Sequence, residues 1–139
     1  MTNGQIPNDA FNTGLRDSGR RLFVARAEHQ NGMHPCKFHE GHSGAHLSWG
    51  GLELVKQSYE ILASKIGLYW RRMQVGQLPG DAVSTGYDNG TPLYSVKGHV
   101  HGTQVIGKYS NQHKIAYFPY GGKEHKIRHG EVEILCFRQ

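Results

Sequence analysis

Five charged residues in this sequence occur twice, at places roughly 70 residues apart, and their side chains are the best suited to hold a ligand. A carboxylate accepts hydrogen bonds from two adjacent hydroxyls, an ammonium donates to an oxygen, and each balances the charge of the other. Such groups in one shallow cleft suit a neutral polyol such as a sugar. The repeated residues are Asp9 with Asp81, Asp17 with Asp88, Lys37 with Lys108, Glu53 with Glu124, and Glu60 with Glu133.

Some of these pairs have a structural explanation. Asp9 and Asp81 follow a proline and fit well as hydrogen-bond acceptors in a turn. Asp17 lies in the turn sequence Asp-Ser-Gly, and Asp88 lies in Asp-Asn-Gly, so a turn role and a ligand role explain them equally well.

The lysine pair is the stronger binding candidate. Lysine varies easily on a solvated surface, yet Lys37 and Lys108 are kept while the residues that precede them differ. Glu53 and Glu124 follow Gly-Gly pairs, where an acidic residue more often serves hairpin pairing than a ligand. They are weaker candidates.

Aromatic residues would complete a sugar site. The ring of Tyr94 or Tyr120 could cover the apolar face of a sugar at the rim of the cleft. Single sugars bound in this way are held weakly, so two sites in one chain would help by avidity.

Catalytic and metal-binding residues are a second kind of chemistry that the sequence could hold. The sequence HEGH resembles a zinc-protease motif, but that motif needs two histidines four residues apart on a helix, and here they are three apart beside glycines. His39, His42 and His46 could still gather a metal from a loop, although the second copy carries other residues there. The sequence holds no Gly-rich phosphate loop and no GxSxG elbow. It predicts a protein that is not an enzyme and that uses neither metal nor cofactor.

The repeated residues belong to a longer internal repeat. Residues 4–14, GQIPNDAFNTG, return as residues 76–86, GQLPGDAVSTG, and the match continues through WGGLE against YGGKE and YEIL against VEIL. The chain therefore consists of two copies of one unit, at about 3–66 and about 67–139. Because each copy alone has too little core to close, we predict a single domain with a shared core.

Short alternating stretches bounded by Gly, Pro, Asn and Asp predict an antiparallel all-β fold. In a strand over residues 22–27, alternate apolar side chains indicate a core face, and Arg26, like Lys97 in the second copy, faces water or a ligand. Each Gly-Gly pair predicts a hairpin turn. Pro7-Asn8 and Pro79-Gly80 predict type II turns. The stretch 53–66 could be partly helical, but its YEIL segment favours a strand.

Composition bounds the location and the partners. No apolar run approaches the roughly 18 residues that a membrane span needs, and the first residues lack the features of a secretory signal, so a cytoplasmic protein is expected by default. Cys36 and Cys136 occupy unmatched places in the two copies, which predicts free thiols. The net charge of +5 would help an anionic partner to approach, but the basic residues are scattered and form no nucleic-acid arm.

Several motifs together name a family. GQLPGDAVSTG, DNGTPLYSVKG, the pair Gly107-Lys108, YGGKEH and the closing VEIL resemble the DM-nine repeat of insect and mollusc proteins and of natterin-type toxins. The first copy is similar, with LFVARAEH and SYEIL especially close, so the resemblance covers nearly the whole chain.

The resemblance implies a fold and a function. Tandem members of this family are similar to mannose-binding lectins of innate immunity, with intertwined all-β repeats that associate as homodimers. The resemblance further implies calcium-independent recognition of mannose or mannose-rich glycans, including microbial surfaces, and release or cell-surface association by a non-classical route. Carried onto this chain, Asp17 and Lys37 would form one sugar site, and Asp88 and Lys108 would form the other.

The chain departs from the family pattern at particular places. Cys36 stands before the first lysine, where the second copy has glycine, and no acidic residue lies in the five positions before either lysine. A tryptophan, Trp70, precedes the second copy, and the first copy has no counterpart. Two unequal sites are expected.

Three functions remain to be distinguished. A lectin should bind neutral sugar with little response to moderate salt. A basic module for anions or nucleic acid should lose its ligand as salt rises. A histidine-loop metalloenzyme should carry stoichiometric zinc and fail on chelation. The residues favour the lectin.

Overall fold

A computed structural model describes residues 6–64 and 67–138 and confirms an all-β fold, with thirteen strands and no helix in that part of the chain. Six strands belong to the first repeat: β1 (Arg16–Asp17), β2 (Arg20–His29), β3 (Gly32–His39), β4 (Ala45–Trp49), β5 (Leu52–Lys56) and β6 (Glu60–Ile61). Seven belong to the second: β7 (Leu68–Gln74), β8 (Ser84–Asp88), β9 (Thr91–Val100), β10 (Thr103–Ser110), β11 (Ile115–Tyr120), β12 (Lys123–Ile127) and β13 (Glu131–Phe137).

The strands of both repeats form one antiparallel sheet. Its order is β1-β2-β3-β4-β5-β12-β11-β10-β9-β13-β7, and β8 pairs with both β3 and β9. Strands β3, β4, β5, β12, β11, β10, β9 and β8 therefore form a closed ring. The repeats join where Lys123 pairs with Leu52 and where Met33 pairs with Tyr87, so the two units are intertwined as expected.

The core is more extensive than the alternating pattern predicts. Phe23, Ala25 and Ala27 lie on one buried face of β2. Leu22 and Val24, on the opposite face, are equally buried because they pack with Ile106 in a second cluster between the repeats. Strand β2 is thus covered on both sides until Arg26, where the exposed face begins.

Arg26 and its counterpart Lys97 each form an ion pair with a repeated glutamate. The guanidinium of Arg26 contacts Glu60 at 2.7 Å, and the Nζ of Lys97 lies 3.2 Å from a carboxylate oxygen of Glu133. Each pair joins neighbouring strands of the same repeat. The recurrence of Glu60 and Glu133 therefore has a structural explanation, although an exposed pair such as Arg26–Glu60 stabilises a protein only weakly.

The Gly-Gly hairpins are confirmed, with φ of 60° and 86° at Gly50-Gly51 and 63° and 81° at Gly121-Gly122. The type II turns predicted at the prolines are wrong. The amide of Ala10 donates to the carbonyl of Pro7, so the proline opens the turn rather than taking its second position. Residues 8 and 80 consequently do not adopt the positive φ that a type II turn would need.

The remaining expectations concern the stretch 53–66, the two thiols and membrane spans. In its described part, the stretch 53–66 holds β5 and β6, and residues 65 and 66 lie outside the described residues. Cys36 and Cys136 are free and buried, and burial raises the pKa of both thiols to about 12. Within residues 6–64 and 67–138, no helix is long and apolar enough to cross a membrane.

Candidate functional site

The two repeated lysines lie on equivalent strands and are both buried, with 4% of Lys37 and 5% of Lys108 exposed. Each ammonium reaches across to the other repeat. Lys37 donates to the carbonyl of Pro119, and Lys108 donates to the carbonyl of Ser48 at 2.7 Å. Pro119 and Ser48 occupy the same place in the two copies. A lysine from one repeat therefore meets a hairpin from the other.

An aromatic ring on that hairpin faces each lysine. The Nζ of Lys37 lies 5.5 Å from the centre of the Tyr120 ring, and that of Lys108 lies 5.4 Å from the Trp49 ring. These distances allow a cation–π attraction. Tyr120 was expected at the rim of a sugar site. Trp49, its counterpart in the first repeat, faces the other lysine. Tyr94 instead packs against the hydrophobic core of the second repeat.

The repeated glutamates form hydrogen bonds between the two Gly-Gly hairpins. The Glu53 carboxylate accepts from the amide of Gly122 at 2.8 Å, and the Glu124 carboxylate accepts from the amide of Gly51 at 3.0 Å. The backbone amides of the same glutamates donate to the same two glycines. Both glutamates thus have the hairpin role that their position suggested, and Glu53 also lies 3.5 Å from the Nζ of Lys37.

The repeated aspartates lie at the ends of hairpin strands, beside the lysines. A carboxylate oxygen of Asp17 lies 3.1 Å from the Nε2 of His39, two residues along β3 from Lys37. Asp88 lines the same cavity as Lys108. The structure thus gathers Asp17, Lys37, Glu53 and Tyr120 into one cluster, called site one below. It gathers Asp88, Lys108, Glu124 and Trp49 into another, called site two.

Site two surrounds a cavity of about 520 Å³ that is open to solvent. That volume is within the range of roughly 300–1,000 Å³ typical of small-molecule pockets. Its walls include His34, Trp49, Asp88, Lys108, Tyr117 and Glu124. Both repeats contribute, so the cavity exists only in the intertwined fold.

Site one differs because histidines surround its carboxylates. His39 contacts Asp17, and the Nδ1 of His46 lies 3.0 Å from Glu53. His42 stacks on His39 with 4.8 Å between ring centres. At the matching places site two has Ser110, Tyr117 and His113. The hydroxyl of Tyr117 lies 3.2 Å from the Nδ1 of His113.

The histidine cluster also bears on the metal hypothesis. Two of its rings point a nitrogen at a carboxylate, and no group of three or more His, Cys, Asp or Glu among the described residues is arranged to hold a metal ion. The geometry therefore gives a histidine-loop metalloenzyme no support. These histidines are the partners of the site-one carboxylates, a role that the sequence analysis missed.

Burial sets the protonation of both sites. It lowers the pKa of Lys108 to about 8, against the attraction of Glu124 and Asp88. Burial and the charge of Lys108 lower the pKa of His34 to about 4, so the neutral ring meets the ammonium through its Nδ1 at 3.0 Å. Burial opposes ionisation of Glu53, but hydrogen bonds from His46 and from an amide outweigh it and lower the pKa to about 2.

Acid should destabilise the protein through these groups. Between pH 6.5 and 4 the unfolded chain protonates His34 while the folded protein does not, so the free energy of unfolding falls as pH falls. Below pH 4.5 the unfolded chain also protonates Glu53 while the folded protein does not. The stabilising contribution of this carboxylate is therefore lost as pH falls towards 2. We expect a loss of about 1–3 kcal/mol between pH 6.5 and 4, measured by urea unfolding.

The variant His34→Gln should lose a large part of that slope, whereas His99→Gln, at an exposed position, should keep it. An unfolding free energy that does not change between pH 6.5 and 4 in the wild-type protein would contradict this assignment.

Comparison with known proteins agrees with the architecture. A family model described as DM9 repeat matches residues 1–55 and 16–127. No curated protein matches the sequence. Among solved structures, the chain is similar to the crystal structure of the nematode sperm cell motility protein MFP2B, with a TM-score of 0.65 and 19% identity. The match covers 94% of this chain and 43% of that chain, so this sequence spans less than half of that protein. At this identity the likeness concerns the fold.

Proposed function

Because the chain belongs to the DM9 repeat family, we propose that it is a carbohydrate-binding module whose two sites take mannose or mannose-rich glycans. Binding needs no calcium, and no bond of the sugar is broken. The observation that carries the proposal is the grouping of an ammonium, two carboxylates and an aromatic ring around the open cavity of site two.

The hydrogen bonds of Lys108 leave it one donor for a ligand. An ammonium has three donors. One goes to the carbonyl of Ser48 and another meets the Nδ1 of His34. The third donates to a sugar oxygen. Because the ammonium is already fixed by two partners, it loses little conformational entropy when the sugar binds.

The carboxylates and the indole complete the contact. Asp88, at the end of β8, accepts from two adjacent hydroxyls of the ring, as an ionised carboxylate does well. The Trp49 side chain covers the apolar face of the sugar. Glu124 uses one oxygen for the amide of Gly51, which leaves its second oxygen available to a hydroxyl.

The charge of site two also favours a neutral ligand. The lining carries two ammonium groups, of Lys108 and Lys126, and two carboxylates, of Asp88 and Glu124, so the local charge is about zero at neutral pH. An anionic ligand would therefore meet no excess of positive charge. The net charge of +5 on the whole chain, on which an anion- or nucleic-acid-binding function was based, is therefore not concentrated in the lining of this cavity.

We further propose that the protein recognises mannose-rich surfaces of microbes as part of innate immunity and acts as a homodimer. Single sugars bind such shallow sites weakly, so two sites per chain and two chains per dimer raise the strength of attachment by avidity.

Calorimetric titration with mannose, with galactose as the control sugar and EDTA present throughout, tests the proposal. We expect saturable heat that approaches two sites per chain and changes little between 50 and 300 mM salt. Absence of heat with mannose and oligomannose, together with salt-sensitive binding of a polyanion such as heparin, would replace the lectin by the anion-binding module.

A further inference from the structure

The outer edge of β6 lacks the neighbour that its counterpart has. In the second repeat, Ile134 of β13 pairs with Val96 of β9 on one side and with Arg71 of β7 on the other. In the first repeat, Ile61 of β6 pairs with Ala25 of β2 at the equivalent place. Among residues 6–64 and 67–138, no strand lies on the other side of β6.

The backbone of β6 offers hydrogen bonds to that open side. The amide of Leu62 donates to Val24, and its carbonyl accepts from Phe11. In an antiparallel strand the adjacent residues point their backbone groups the opposite way. Ile61 and Ala63 therefore direct theirs outward, where β7 would lie in the second repeat.

Strand β7 is the neighbour at the equivalent edge in the second repeat. The indole of its Trp70 donates to the carbonyl of Thr13 at 3.1 Å and lies 6.1 Å from the ring of Phe11. The Nζ of Lys97 lies 5.2 Å above the same indole. Leu62 packs in the same cluster. The side chain of Trp70 thus fills the space between the two repeats beside β13.

At the equivalent place beside β6 there is a groove of about 280 Å³. Its walls include Ala25, Arg26, Ile61, Ala63, Val83 and Thr85. Arg26 takes the place of Lys97, and Thr85 takes that of Thr13. The groove is therefore the counterpart of the space that Trp70 fills. It is built from the same positions of the repeat, but no aromatic side chain among the described residues occupies it.

A repeated carboxylate lies next to the space that Trp70 fills and next to the groove beside β6. In the second repeat, Asp81 accepts from the hydroxyl of Tyr69 and, at 2.9 Å, from the guanidinium of Arg71, both on β7. Its counterpart Asp9 is exposed and has no side-chain partner within the described parts of the chain. A basic residue on an incoming strand would meet it.

We propose that the outer edge of β6 is a docking site for an extended segment of another polypeptide. That segment adds a strand to β6, places an aromatic side chain in the groove, and directs a basic or hydroxyl-bearing side chain at Asp9. Main-chain hydrogen bonds give such strand addition its affinity, and the groove gives it specificity. The site is separate from both sugar sites and does not depend on the proposed sugar binding.

The sequence of β7, LYWRRMQ, supplies the probe as a synthetic peptide. We expect it to bind the complete chain saturably, with amide shifts in two-dimensional NMR at Ile61, Ala63 and Thr85. A peptide with alanine in place of tryptophan should bind roughly tenfold more weakly, as for the loss of a central aromatic anchor.

Two variants of the protein test the edge itself. Ala63→Pro removes an outward donor at a position where an edge strand tolerates proline, and Asp9→Asn removes the charge. Each should weaken the peptide several-fold, whereas Asn8→Ala, at the exposed neighbouring position, should not. Folding of each variant is checked by thermal denaturation.

Three results would overturn the proposal. The first is no saturable binding of the peptide up to about 1 mM, an affinity too weak for specific docking. The second is equal binding of the tryptophan and alanine peptides. The third is self-association of the chain alone that Ala63→Pro abolishes, because a second copy, and not a foreign segment, would then cover this edge.

Discussion

Replacing Lys108 with methionine is expected to abolish mannose binding at site two and to halve the number of sites per chain. The ammonium is the one cationic donor held inside this cavity by fixed partners, and a hydrogen bond from a charged group contributes about 1.5–3 kcal/mol. Its loss corresponds to a fall in affinity of roughly 10- to 100-fold, which a weak monosaccharide site cannot tolerate. Calorimetric titration of the variant measures the effect.

The size of methionine matters to the experiment. Lys108 is buried, so alanine would leave a void, whereas methionine fills a similar volume and removes only the charge and its donors. Thermal denaturation then separates lost binding from lost folding. Burial already disfavours the charged lysine, but the carbonyl of Ser48 and the Nδ1 of His34 lose their donor, so we expect stability to fall by about 1–3 kcal/mol without loss of the fold.

The matched control is Lys126→Met. Lys126 lines the same cavity but is exposed and has a valine as its counterpart in the first repeat. Its substitution should change the affinity by less than about twofold, since exposed charges contribute little. If Lys108→Met and Lys126→Met bind mannose equally well, the lysine is a structural element and site two is not the sugar site.

The repeat made much of the fold predictable. Alternating apolar residues and the Gly-Gly pairs predicted strands and hairpins because these are local properties of the chain, and both are confirmed. The burial of Leu22 and Val24 was not predictable in that way. Their outer face is covered by Ile106 from the other repeat, and only the closed ring of strands brings it there.

The candidate sites were predictable in part for the same reason. Repetition identified Asp17, Lys37 and Glu53 as a set, and the structure gathers them and their counterparts. It could not show that Lys37 reaches the carbonyl of Pro119 in the other repeat, because this contact spans 82 residues. Trp49 could have been found from the sequence, since an aromatic residue precedes the Gly-Gly pair in both copies.

The histidines of site one show where repetition fails as a signal. His39 and His46 have Ser110 and Tyr117 as counterparts, so they stand outside the repeated set. The spacing of these histidines allowed a metal site, which the repeat argued against because the second copy carries other residues there. The contacts of these histidines with Asp17 and Glu53 depend on strand register, and the sequence gives no direct sign of that.

The substitution Gly107→Ala is expected to destabilise the protein strongly. A Cβ at this position would lie 2.1 Å from the carbonyl oxygen of Tyr117 and 2.8 Å from the ring of Phe118. The first neighbour is backbone of the adjoining strand β11, so it cannot turn away. We expect a loss of about 3 kcal/mol in the free energy of unfolding, measured by urea denaturation.

The first repeat explains why that glycine is needed. It has Cys36 where the second has Gly107, Ala27 where the second has Gly98, and Leu47 where the second has Phe118. A Cβ at Gly98 would also meet Phe118, at 2.9 Å. The larger phenylalanine therefore occupies the space that two small side chains fill in the first repeat, and close packing permits either arrangement but not a mixture.

This compensation makes the prediction specific. Phe118→Leu should destabilise by leaving a cavity, yet the double variant with Gly107→Ala should be more stable than the sum of the single effects by about 1 kcal/mol, because the two changes restore part of the first-repeat arrangement. Gly80→Ala is the control, since a Cβ there meets nothing within 4 Å and φ is not positive. Additive effects, or Gly107→Ala as stable as Gly80→Ala, would show that the side chain of Phe118 does not set the size of residue 107. The identity of this residue would then have to come from the contact with the carbonyl of Tyr117 alone, or from no packing constraint at all.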